Sequence, residues 1–181
     1  TWLLDPEDIT ITTAGTGVGT LINPATILAS LDAGTNVTLT TNAATAGRGN
    51  IRLLSPLFLN SQGAAVSLTL SAHNNIDILS DIGNNQGTSP RPLNLTLKSN
   101  QGAGGSYTNG TGVTLLGTST LDLKGGVFTA TSGRVSMLSD TVTLKAGTSQ
   151  WGHLTINGGV LDLTGGTHTV GALDFQSGII R

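Results

Sequence analysis

The chain has 181 residues, of which 10% are charged and 3% aromatic, with no cysteine and a net charge of −2. One domain suits this length, disulfides and thiol or Cys-ligated metal chemistry are excluded, and no basic patch with interleaved aromatics offers itself to nucleic acid. No apolar run approaches the length of a bilayer span, so no membrane insertion is expected.

Along the chain one small pattern recurs: an apolar residue, a polar one, an apolar one, then a turn. It opens with Ile9-Thr10-Ile11. The segment Pro24 to Leu31 could start a helix at its proline, but Ala25-Thr26-Ile27-Leu28-Ala29-Ser30-Leu31 reads equally well as a strand, and the strand is favoured. Val37-Thr38-Leu39, Ile51-Arg52-Leu53, Leu68-Thr69-Leu70, Ile76-Asp77-Ile78 and Leu95-Thr96-Leu97 follow. The second half continues with Val113-Thr114-Leu115, Leu121-Asp122-Leu123, Val135-Ser136-Met137, Val142-Thr143-Leu144, Leu154-Thr155-Ile156, Leu161-Asp162-Leu163 and Leu173-Asp174-Phe175. Period 2 marks a half-buried strand, with the middle residue outward. Glycine-rich breaks such as Gly125-Gly126 and Gly165-Gly166 supply the corners.

Leu121 to Val142 is about 21 residues, and Val142 to Leu161 and Leu154 to Leu173 about 19 each. That recurrence is the signature of stacked repeats. The expected fold is all-β: a right-handed parallel β-helix with about 20 residues per rung, forming a single domain over 1–181. No rung can bury its apolar side alone, so stacking completes the core. The loops Ser80 to Pro92 and Ser99 to Gly112 are expected to leave the wall, and 83–92 and 99–112 are where binding would sit. Gly178-Ile179-Ile180-Arg181 carries no polar cap, so that end invites either more chain or another copy.

Each candidate site faces a plainer alternative. Asp122, Asp162 and Asp174 take outward middle positions. Asp122 and Asp162, if stacked two rungs apart, would be separated by roughly 9–10 Å, the upper edge of inverting glycosidase geometry. Neither a polygalacturonase-type signature nor aromatics for sugar stacking accompany them, so solvated wall residues are expected. Asp5, Glu7 and Asp8 form an acidic cluster that lacks the spacing of a calcium loop and reads as a turn. Trp2 reads as a packed anchor. His73, His153 and His168 lack metal-ligand spacing and read as surface or turn residues. Outward Thr10, Thr38, Thr69, Thr96, Thr114, Thr143 and Thr155 could suggest an ice-binding ladder, but the outward position also holds Asp, Arg and Ser. Glycosylation sequons start at Asn36, Asn94 and Asn109, with Asn109 the most accessible. No catalytic residue, cofactor or metal site is assigned, and no enzyme activity is expected.

Trp2-Leu3-Leu4-Asp5-Pro6-Glu7-Asp8-Ile9-Thr10-Ile11 resembles a recurrent segment of large bacterial exoproteins of the filamentous haemagglutinin type. Leu68-Thr69-Leu70-Ser71-Ala72-His73-Asn74-Asn75-Ile76-Asp77-Ile78 is similar to another of their phrases. The resemblance implies a right-handed β-helix from a long protein exported by two-partner secretion, acting in adhesion, aggregation or biofilm formation. It implies a secreted or cell-surface location and a partner on a host or neighbouring cell. The alternative is a fibre subunit that self-associates through its solenoid ends; a polysaccharide-active enzyme is the weakest reading. Thr1 in place of Met, and no leader-like segment, suggest an internal or processed piece.

Overall fold

The computed structural model describes residues 6–42, 48–103, 112–138 and 140–181. Fifteen strands and one α-helix follow in order: β1 (Ile9–Ile11), β2 (Thr20–Ile22), α1 (Pro24–Asp32), β3 (Val37–Thr40), β4 (Ile51–Leu53), β5 (Leu57–Leu59), β6 (Val66–Ser71), β7 (Ile76–Ile78), β8 (Ile82–Asn84), β9 (Leu93–Lys98), β10 (Val113–Leu116), β11 (Ser119–Asp122), β12 (Val127–Leu138), β13 (Thr141–Lys145), β14 (Thr148–Thr164) and β15 (Thr167–Ile180). Every pairing between named strands is parallel. The fold is all-β and solenoid-like.

Three ladders make up the wall. The first runs β2-β1-β4-β7-β10 and on through the later parts of β12, β14 and β15; the second runs β5-β8-β11-β13 into the end of β14; the third runs β3-β6-β9 into the start of β12. The long strands turn corners within themselves, with register shifts in β12 and β15. Thr148 pairs with Thr167, an offset of 19 residues, whereas Ile51 pairs with Ile76 and Ile9 with Ile51. The first half therefore carries longer connections than the second. The two Leu-Asp-Leu phrases are also displaced: Leu121 aligns through Leu144 with Leu163, not with Leu161. A slip of two keeps every side chain on its own side of the wall.

Between the ladders lies one aliphatic core, including Ile9, Ile51, Ile76, Leu68, Leu95, Leu144 and Ile156, each at most 1% exposed. Phe128 and Trp151 join it with ring centroids 4.6 Å apart. Backbone donors at the corners are met by Asx side chains of the preceding coil. Asp8 Oδ1 accepts from Asn50 N–H at 2.9 Å, Asn50 Oδ1 from Asn75 N–H at 3.3 Å, and Asn75 Oδ1 from Val113 N–H at 2.9 Å. A second series uses Asn36 towards Ser67 and Asn94 towards Val127. Such bonds satisfy N–H groups that a turning strand would leave unpaired.

Three expectations change. Pro24–Asp32 is a helix, not a strand: Asn23 caps it through Oδ1 to Ala25 N–H at 2.9 Å, Pro24 stands in its first turn, and Ile27 and Leu31 bury one face. The capping residue, the proline and the four-residue spacing act together. The excursion expected from Ser80 begins later, because Ile82–Asn84 joins the second ladder as β8. Arg91 then ties the loop down, donating to Ala64 O and Gln62 O at 2.8 Å each. The third change concerns β10. Thr114 aligns with Ile76 and Val135 and is fully buried, while Val113 and Leu115 face outward. The alternation is one residue out of the expected phase, which moves all its side chains to the other face.

Candidate functional site

The reversed β10 opens onto the outer surface of the first ladder. Here one outward column runs Thr10, Arg52, Asp77, Leu115, Ser136, Thr155 and Asp174, one residue per coil. Beside it lies the Asx series of Asp8, Asn50 and Asn75, ending at Val113. The chain after β1 folds back along this face, and Thr10 Oγ1 donates to Val18 O at 2.7 Å. Asp8, Thr10, Val18, Arg52, Asp77, Val113, Leu115 and Ser136 thus line an open groove of about 420 Å³.

The charges in the groove are arranged by their neighbours. Arg52 Nε donates to Asp77 Oδ2 at 2.9 Å. The Arg52 side chain is 43% exposed and its Nη groups make no hydrogen bond among the described residues. Asp8 is saturated: Oδ1 accepts from Gly49 N–H, Asn50 N–H and Asn50 Nδ2, and Oδ2 accepts from Arg48 at 3.0 Å. Burial raises the pKa of Asp8. The donors from Asn50, Arg48 and Gly49 outweigh that and hold the carboxyl below its ordinary value. Asp8 is therefore a buried anchor of the coil corner and not part of a solvated acidic turn; Glu7 beside it is exposed. Further along the face, Arg134 Nη2 reaches Asp174 Oδ2 at 3.6 Å across β14, where Thr155 is buried.

The carboxylates weighed as a hydrolytic pair do not stack. Asp122 shares its column with Lys145 and Thr164, and Asp162 shares its column with Thr120 and Thr143. Each bonds a nearby cation instead, Asp122 to Lys124 at 2.8 Å and Asp162 to Arg181 at 3.1 Å. Asp174 lies on a different ladder. The threonines are likewise dispersed. Thr38, Thr69 and Thr96 form one column with Thr129 on the third ladder, Thr143 is on the second, Thr10 and Thr155 are on the first, and Thr114 points into the core.

His168 is half-buried on the last coil. It occupies the inward column of Ser149. Trp151 Nε1 donates to Ser149 Oγ at 2.7 Å, Ser149 Oγ lies 2.7 Å from His168 Nδ1, and His168 Nε2 is 2.6 Å from Gly165 O. With Nε2 donating to the carbonyl, Nδ1 accepts from the serine. His153 is outward beside Arg134, and His73 is half-buried. Among the described residues no three His, Asp or Glu gather as a metal cluster, and no helix is long and apolar enough to cross a membrane. Asn36 and Asn94 spend their Oδ1 atoms on the coil corners. Asn109, Trp2 and Asp5 lie outside the described residues, as does most of the 99–112 loop.

Sequence reasoning does not reach the groove, because its residues come from five coils with unequal spacing. The one local signal was Val113-Thr114-Leu115-Leu116, which fits two phases of alternation. Comparison with protein-family models, with characterised proteins and with solved structures yields no match for this chain.

Proposed function

We propose that the chain is a rigid shaft of a secreted bacterial surface protein, a right-handed parallel β-helix whose basic coil has about 20 residues, acting in cell adhesion or aggregation. The observation that carries this reading is the continuous first ladder, in which β2, β1, β4, β7, β10, β12, β14 and β15 stack along one axis around an aliphatic core. Right-handedness follows the general preference of parallel crossovers. The phrases at Trp2 to Ile11 and Leu68 to Ile78 add the haemagglutinin-type resemblance. Displaying the chain on a non-adherent bacterium tests it: increased attachment to epithelial cells or increased clumping is expected, and no gain over a display-only control would overturn it.

End-to-end assembly is the second reading. In its favour, β15 leaves Leu173, Phe175 and Ile180 exposed at 51%, 49% and 40%, in columns that are buried one coil earlier. At the other end α1 packs against β5, β3 and β6 and covers the core with Ile27 and Leu31. Light scattering during size exclusion separates monomer, dimer and fibre.

A further inference from the structure

We infer that the groove over β1, β4, β7 and β10 is a binding site for a short extended peptide segment with a free carboxylate next to an aliphatic side chain. Three observations converge on that chemistry, and none depends on the adhesive reading.

The first is the phase of β10. Its reversal places a hydroxyl in the core, with Thr114 Oγ1 buried and unpartnered among the described residues, and sets Val113 and Leu115 on the outer wall. Both choices cost stability: the buried hydroxyl lacks its hydrogen bond, and the apolar side chains face water. Where a sequence breaks its own local pattern, a functional or strained site is the expected reason, and the outward apolar pair fits a functional one. Together with Val18, 54% exposed, these residues make an aliphatic ledge.

The second is the Nη edge of the Arg52 guanidinium, which has no partner among the described residues. Arg52 is fixed by its Nε bond to Asp77, which leaves both Nη groups presented to the groove in a fork that matches a carboxylate. The anions nearby are already engaged: Asp8 is saturated by four donors and Asp77 Oδ2 is held by Arg52. The charges in the groove are balanced pair by pair, and the two Nη groups of Arg52, without a partner among the described residues, are its open charge-assisted donors, which a carboxylate can take.

The third is size and polarity. A volume of about 420 Å³ lies within the roughly 300–1,000 Å³ usual for ligand pockets. Asp77 Oδ1 accepts and Asn75 Nδ2 donates, and neither has a partner among the described residues. That mixture suits a peptide backbone. The ledge is aliphatic and not aromatic, so it packs a Leu- or Val-like side chain and gives a sugar ring no stacking surface.

Titration calorimetry on the full chain provides the test, with an acetylated tripeptide ending in a leucine with a free carboxyl, its C-terminal amide, and a uronate oligosaccharide. Saturable binding of the free acid is expected, with about tenfold weaker binding of the amide and of R52Q, and a loss of similar size in L115S. Melting temperatures of the two variants near the parent's show that the fold is retained, and R52K, which keeps the charge without the fork, is a second probe of the same contact. Absence of saturable binding to the free acid, equal binding of acid and amide, or preference for the uronate would each overturn the inference.

Discussion

Thr114 stands in the inward column between Ile76 and Val135, a hydroxyl flanked on both coils by aliphatic side chains. Its Oγ1 is buried without a hydrogen-bond partner among the described residues. An unsatisfied buried hydroxyl costs about 1–3 kcal/mol, and valine has nearly the same shape without that cost. Thr114→Val is expected to raise unfolding free energy by about 1 kcal/mol or more, measured by urea denaturation. The groove, on the opposite side of β10, keeps its lining. A loss of stability would mean that the hydroxyl is satisfied in solution.

Asp8 links acid stability to the first coil corner. Its folded-state pKa is depressed, so its contribution is present above the ordinary aspartate pKa and disappears as pH falls through the depressed value. Asp8→Asn keeps an acceptor at Oδ1 but loses the charge that strengthens four hydrogen bonds. At neutral pH it is expected to cost about 1–3 kcal/mol. In acid the parent and the variant should converge, and parallel melting curves at all pH values would contradict this assignment.

Gly147 sits where one coil passes closely over the one before. A Cβ there would collide with the carbonyl oxygen of Gly125, a backbone atom that cannot swing aside. Gly147→Ala is expected to lower the melting temperature by several degrees, corresponding to about 1–3 kcal/mol. Gly87, with open space around it, serves as the control, and Gly87→Ala should be nearly neutral.

Helix α1 covers the core through Ile27 and Leu31, both fully buried. Ile27→Ala is expected to cost about 2–5 kcal/mol, and loss of the Asn23 cap in Asn23→Ala about 1 kcal/mol. Chemical denaturation of both variants checks the order. A cost for Ile27→Ala below that of Asn23→Ala would mean that the helix does not seal the core.

The wall was legible in the sequence because most strands present a single phase of alternation. Leu68-Thr69-Leu70 and Ile76-Asp77-Ile78 can bury only one pair of residues each, and they bury it. Of the elements that escaped, two show different reasons. Over Pro24–Asp32 the aliphatics fit either a strand or a helix; Asn23 as cap and the Ile27–Leu31 spacing were the deciding signals. In β10 two neighbouring leucines leave the phase open, and the bond from Val113 N–H to Asn75 Oδ1, made across 38 positions, accompanies the phase adopted. The groove depends on that phase and on Arg52 meeting Asp77 across 25 positions. Unequal connections between coils put those meetings beyond any local pattern.

Because the chain has no cysteine of its own, the phase of β10 can be read directly by thiol labelling of Leu115→Cys and Thr114→Cys in the native state. Leu115→Cys is expected to react readily from the groove, and Thr114→Cys, fully buried in the parent, to react only on unfolding. The reverse result, a reactive thiol at 114 and a protected one at 115, would put β10 in the opposite phase and remove the groove.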